Sequence, residues 1–206
     1  MSGPERVGGP ERVGGREAVR LFLALELPDE ARSALCSWRE PALSGSPALR
    51  PVASEDLHAT LCFLGSRRAE EIHPILEACA GLAPRPAPAL ALGRPLWLPR
   101  QRPRVLAVSL EDASGALAAV QSELSERMAA GGWYTPERRP YLAHVSVARL
   151  RAGGAAARGV PETPRLGFTA PRVTLYRSHL SAAGARYEAL GAVELGAGAR
   201  EVTAPS

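Results

Sequence analysis

The chain contains no lysine and no asparagine. All 25 of its basic side chains are arginines, set against 21 acidic ones, and aromatic residues make up only 5% of its 206 positions. Each absence closes off a chemistry. A P-loop needs its lysine on the nucleotide phosphates, and a pyridoxal enzyme needs one for its Schiff base. An ATP-dependent nucleic-acid ligase needs one to adenylate. Without asparagine there is no Cys-His-Asn protease and no N-glycosylation acceptor. A GC-rich genome produces the same bias toward Ala, Arg, Gly and Pro, but the chemical exclusions hold whatever its origin. Cys36, Cys62 and Cys79 are odd in number, far apart and form no CxxC pair, so buried thiols in a reducing cytosol are expected, not a disulfide framework or a zinc site. Apolar stretches such as Leu21–Leu25 fall far short of the roughly 20 residues that span a bilayer, and no secretory h-region is visible. A soluble, cytoplasmic protein without a membrane partner is expected.

A length of 206 residues suits one domain, or one domain of two lobes. The net charge of +4 and pI near 9.4 permit a nucleic-acid partner, and arginine's planar fork suits phosphate. Residues 3–14 read GPERVG twice, a low-complexity tail; residues 1–18 are expected to be disordered and 197–206 flexible, with a two-lobed domain between them at 19–196. There the hydrophobic periods alternate. Strands are expected at 19–27, 57–64, 89–97, 104–110, 142–149, 173–180 and 186–195. Helices are expected at 29–38 with Asp29 as N-cap, at 69–80 and at 114–130, and a Pro/Ser/Gly linker at 41–51. The order β-α-β-α-β-β-α-β-β-β indicates an α+β fold with a largely antiparallel sheet, and it falls into two similar halves.

The four histidines carry the functional clue. His58-Ala-Thr60 lies in LHATLCFLG and His144-Val-Ser146 in LAHVSVAR. Residues i and i+2 share a strand face, so each imidazole points the same way as its hydroxyl partner. The opposite face of the first strand would carry Leu57, Ala59, Leu61 and Phe63, and that of the second Ala143, Val145 and Val147. Two imidazoles able to act as acid and base near neutrality, beside hydroxyls that donate to non-bridging oxygens, suit phosphodiester cleavage without a metal or cofactor. Asp56, two residues before His58, reads as a cap on the turn into the strand. His179-Leu-Ser181 sits at a strand end and His73 in a helix; both read as surface or structural residues.

HATL and HVSV resemble the paired HxTx signatures of the two-histidine phosphoesterase superfamily. The surrounding VRLFLALELPDEAR, PRVLAVSL, RPYLAHVSVARLR and VTLYRSHLSAAGARYEAL are similar to the bacterial RNA 2′,3′-cyclic phosphodiesterases, formerly called 2′-5′ RNA ligases, over roughly residues 19–195. Ser146 stands where Thr is commoner, and Ala107 where a Trp is frequent. The resemblance implies two lobes related by a pseudo-twofold, each giving one HxT/S strand to a central cleft. It implies a reaction that opens a terminal cyclic phosphate on RNA 3′ ends or nucleotides to a 2′-phosphate. His144 would accept the proton of the attacking water and His58 would donate to the leaving oxygen, with Thr60 and Ser146 on the phosphate. Arg149 is the first choice for substrate affinity, although its odd spacing from His144 demands a bulge or strand end. Arg104, Arg138, Arg139 and Tyr141 follow. Rival readings are a phosphodiesterase for small cyclic nucleotides or 2′-5′ oligonucleotides, with ATP-independent ligation as the reverse reaction, and a nucleotide-binding module without turnover. A monomer is expected.

Overall fold

The computed structural model describes residues 12–13, 16–44, 46–156, 159–181 and 184–196. In chain order its elements are β1 (Arg12–Val13), β2 (Arg16–Glu26), α1 (Asp29–Ser44), β3 (Leu49–Pro51), β4 (His58–Arg68), α2 (Ile72–Ala80), β5 (Ala89–Leu98) and β6 (Val105–Glu111). α3 (Ala116–Ala130), β7 (His144–Leu150), β8 (Gly167–Thr169), β9 (Arg172–Ser181) and β10 (Gly184–Glu194) complete the set. The α+β expectation is met: every strand pairing among the described residues is antiparallel.

The elements added to the expected order are short. β3 and β8 have three residues each and β1 has two, too few for a period of two to show in the sequence. β2 begins at Arg16 and pairs with Arg12–Val13, so strand extends into the stretch read as an N-terminal tail; its residues 1–11 and 14–15, and the C-terminal tail 197–206, lie outside the described residues. α1 has Asp29 as its first helical residue, paired with Arg32 one turn on. It passes through Pro41 to Ser44, beyond the expected end at Trp38, because Leu43 packs against the core. The linker at 41–51 is therefore a last helical turn followed by β3.

The strand order explains the site. The sheet runs β10-β9-β2-β4-β7-β6-β5-β8. Strands β2 and β4, joined through α1, fill the same places in one half as β6 and β7, joined through α3, do in the other. The halves meet at the β4–β7 junction, where one ladder pair is formed, Ala59 with Val145. One face of the sheet is core: Leu21, Leu23 and Leu25 of β2 and Leu106 and Val108 of β6 are buried. Against it pack Ile75 and Cys79 of α2 and Leu117, Val120, Leu124 and Met128 of α3. Gln121 lies at the edge of this α3 stripe. No helix among the described residues is long and apolar enough to cross a membrane.

Candidate active site

Each motif histidine is the first residue of its strand, His58 of β4 and His144 of β7. Pairing of Ala59 with Val145 sets the rest of the register. In an antiparallel ladder His58 then faces Ser146 and Thr60 faces His144, so the two imidazoles lie on one diagonal and the two hydroxyls on the other. In a regular sheet that diagonal spans roughly 7–8 Å between Cα atoms. Both rings are tied back in the same way. Nδ1 of His58 donates to the carbonyl of Asp56 at 2.8 Å, and Nδ1 of His144 to that of Leu142 at 2.7 Å. A carbonyl only accepts, so Nδ1 carries the proton and Nε2 is left for the cleft. Asp56 thus orients His58 through its backbone; the residue itself ends a short 3-10 turn at Ser54–Asp56.

Immediately after each motif the strand bulges. Against β2, Thr60 and Cys62 face consecutive residues and Leu61 is extra; against β6, Ser146 and Ala148 do so and Val147 is extra. A bulge reverses the inside–outside parity of the residues beyond it. Leu61 and Cys62 are accordingly both buried, as are Val147 and Ala148. The fifth residue after each histidine is swung onto the cleft side. In β7 that residue is Arg149, which lines the pocket holding His58; the bulge its spacing demanded is present. In β4 it is Phe63. Sequence parity placed Phe63 in the core, but it is 45% exposed and lines the cleft beside Thr60, with the Arg20 guanidinium 4.5 Å above its ring.

Bulging leaves backbone groups unpaired, and each bulge carbonyl finds a helix side chain from the opposite half. Val147 O accepts from the buried Arg39 of α1 at 2.9 Å and from the Val52 N–H at 3.0 Å. Arg39 also donates to the carbonyl of Val52. Leu61 O lies 3.4 Å from Gln121 Nε2 of α3.

His58 lies in an aromatic corner that sequence reasoning missed. Phe22, Tyr187 and Tyr176 have ring centroids 5.0, 5.3 and 6.0 Å from its own. Burial is the main reason that its pKa falls to about 4; the bond to Asp56 opposes the fall, while the Arg149 and His144 charges add to it. The available signal was the period of two in FLALE: Phe22 is the aromatic residue on the cleft side of β2, where Glu26 pairs with His58. The Tyr176 hydroxyl donates to the Glu26 carboxylate at 3.2 Å, and burial first, then Glu26, pushes its pKa up to about 12.

The pocket at His58 holds about 380 Å³ and is lined by Thr60, Ser146, Arg149 and Tyr187 among others. Thr60 also borders a second pocket of about 490 Å³, which contains His144, Arg139 and Tyr141. The other sequence candidates differ in placement. Tyr141 donates its hydroxyl to the Thr60 carbonyl at 3.1 Å, and burial raises its pKa; its one hydroxyl proton is engaged by the strand. Arg104 is exposed ahead of β6, with its backbone bonded to Leu98 and Leu150, and it lines neither pocket; nor does Arg138. Ala107, opposite Ser146, is fully buried, so the aromatic surface of this cleft comes from Phe22, Phe63, Tyr176 and Tyr187. His179 pairs with Glu188 across the β9–β10 ladder and His73 with Glu77 along α2, and neither lines the two pockets. Among the described residues no group of three or more His, Cys, Asp or Glu side chains is placed to hold a metal ion.

Comparison with known proteins agrees with this geometry. A family model described as LigT-like phosphoesterase matches residues 25–107. An RNA 2′,3′-cyclic phosphodiesterase of Escherichia coli K12 is 31% identical over 172 residues, covering 83% of this chain and 93% of that protein. The chain belongs to the LigT-like phosphoesterase family. A protein of the same name from Geobacillus stearothermophilus is 31% identical over 181 residues, 84% of this chain; that match covers little more than half, 56%, of its length. The crystal structure of E. coli LigT complexed with 3′-AMP superposes with a TM-score of 0.73 at 28% identity, covering 87% of this chain and 99% of that one.

Proposed function

We propose that this LigT-like phosphoesterase hydrolyses terminal 2′,3′-cyclic phosphates on RNA to 2′-phosphates, by two-histidine acid–base catalysis. One observation carries the reading: two HxT/S strands, brought together through a single ladder pair, each present an imidazole whose Nδ1 is already engaged, with the hydroxyls on the other diagonal. The activity named for the relatives and the 3′-AMP bound by E. coli LigT support the choice of substrate.

In this scheme the cyclic phosphate lies between the diagonals. Nε2 of His144 takes a proton from water as its oxygen bonds to phosphorus. The bond from phosphorus to O3′ breaks, and Nε2 of His58 supplies the proton that O3′ needs, leaving a free 3′-hydroxyl and a 2′-phosphate. Thr60 and Ser146 donate to the non-bridging oxygens, where negative charge grows. His58 is neutral in the empty cleft, since burial holds its pKa near 4. An anionic phosphate against the ring favours the charged form and is what loads the acid. Phe63 offers a face on which the terminal base stacks, and Arg149 a fork for the phosphate. Three free thiols, two of them with pKa values raised to about 12 mainly by burial, are compatible with a reducing cytosol.

The test is mass analysis of the product from a cyclic-phosphate RNA in water enriched in oxygen-18, resolving 2′- from 3′-phosphate. One labelled oxygen in a 2′-phosphate is expected. His58→Ala and His144→Ala should each reduce kcat by at least about 100-fold, with the double variant far from multiplicative. A 3′-phosphate product, or either single variant at wild-type rate, would overturn the scheme.

A further inference from the structure

We infer that the arginine-lined groove next to the His58 pocket binds the backbone phosphates of the nucleotides preceding the cyclic end, so that the protein prefers strands to mononucleotides. The inference rests on the proposed function and extends it.

The groove holds about 840 Å³ and shares Asp56, Arg149 and Tyr187 with the His58 pocket, so the two are continuous. Four arginines line it, Arg50, Arg149, Arg151 and Arg186, against the carboxylates of Glu55 and Asp56. Among the described residues none of the four is in a salt bridge, whereas Arg32, Arg68, Arg85, Arg127 and Arg172 each have a carboxylate partner. Arg50 of β3 faces Arg149 of β7 directly in the ladder. Like charges in that relation repel, and a phosphate between two guanidinium forks relieves the repulsion while using both. The pairing is a product of the bulge at Val147, which brings Arg149 to this side.

Direction follows from the chemistry. The leaving O3′ sits at His58, so the sugar carrying it lies in the His58 pocket. The remainder of the strand is attached to that sugar through its 5′ side. It must therefore leave from the His58 side of the cleft, where the groove begins, and not from the His144 side, where water enters. Tyr187 forms a wall of both spaces and offers a ring at the step between them.

The test compares a 2′,3′-cyclic mononucleotide with a tetranucleotide ending in the same group, in wild type and in Arg50→Gln/Arg151→Gln. For single strands log K changes by about 0.7 per phosphate contact per decade of salt, so two lost contacts correspond to about tenfold between about 50 and about 300 mM salt. Wild type is expected to favour the tetranucleotide by at least about tenfold in kcat/KM at low salt, a preference shrinking as salt rises. The double variant should lose the preference and keep its mononucleotide kinetics. Equal preference in both proteins, or none in a wild type that turns over the mononucleotide, overturns the groove and leaves the proposed function intact. Turnover of neither substrate overturns the function. In that event fluorescence anisotropy of the 5′-labelled tetranucleotide still decides the groove: weaker binding by the double variant supports it, and equal binding refutes it.

Discussion

The pKa of His58 gives the structure a thermodynamic signature that can be read without substrate. Folding lowers it from 6.5 to about 4, chiefly by burial under Phe22, Tyr176 and Tyr187. Between those two values the unfolded chain takes up a proton that the native ring refuses, so stability falls as the pH falls. Above pH 6.5 both states are neutral and the full stability is present; below about 4 both are protonated and the loss stops. The displacement amounts to about 3 kcal/mol across that window, an upper figure because the pocket is open to water. Carboxylates elsewhere also titrate there, so the quantity to measure is a difference. Urea unfolding followed by circular dichroism at pH 7.5, 5.5 and 4.5 should give wild type a steeper decline than His58→Gln. Imidazole NMR should show His58 titrating well below 6. Opening the corner with Tyr187→Ser should move that titration toward 6.5 and flatten the stability profile. A His58 resonance titrating near 6.5 in the wild type, or pH profiles parallel in wild type and His58→Gln, would refute the account of a desolvated imidazole.

Three further outcomes rest on named contacts. Phe63→Ala removes the proposed stacking face at the cleft rim; at about 1–3 kcal/mol per stacked base, KM should rise roughly tenfold with kcat little changed, and an unchanged KM would exclude stacking there. Arg39→Met empties the bond from α1 to the Val147 bulge; chemical denaturation should show a loss of roughly 2–4 kcal/mol, and the folded fraction should have a raised KM because Arg149 is no longer aimed. Tyr141→Phe deletes one hydrogen bond to the Thr60 carbonyl, costing about 1 kcal/mol of stability with KM unaltered; a large rise in KM would return Tyr141 to the substrate.

The shared face of the two histidine motifs was legible in the sequence and the aromatic corner beside them was not, for a reason visible in β4 and β7. His58, Thr60, His144 and Ser146 are two apart, and a period of two survives any local twist, so four residues 86 positions apart in pairs could be assigned to one face. Their assembly needs only that β4 and β7 be antiparallel neighbours, in keeping with the central cleft, one HxT/S strand from each half, that the family resemblance implied. The aromatic corner draws Tyr176 and Tyr187 from the closing hairpin, and nothing in that hairpin's own pattern says that it lies beside β2 and not at the far edge. Tyr141 and Arg104 stand as candidates through their nearness to strand motifs, but proximity along a chain does not place a side chain: one hydroxyl is consumed by a neighbouring strand and one guanidinium lies outside both pockets.

The bulges carry the rest. Each adds one residue three places after its histidine and is held by a helix side chain of the other half, Arg39 on Val147 and Gln121 on Leu61. Extending a period of two across them gives the wrong face for both fifth residues. For Arg149 the sequence itself flags the exception, since an arginine in a core demands an explanation. For Phe63 it does not, since a buried phenylalanine demands none. The same device applied twice thus produces a symmetric pair of histidine-bearing strands with asymmetric ends. The first half contributes an aromatic face and the second a guanidinium. Imidazoles and hydroxyls related by a pseudo-twofold could act on the phosphate in either sense. The Phe63 and Arg149 ends are not interchangeable, and a nucleotide has one base and one strand direction. The proposed direction, with the sugar and its strand on the His58 side, rests on this difference at the fifth position together with the aromatic corner at His58 and the arginine groove beside it.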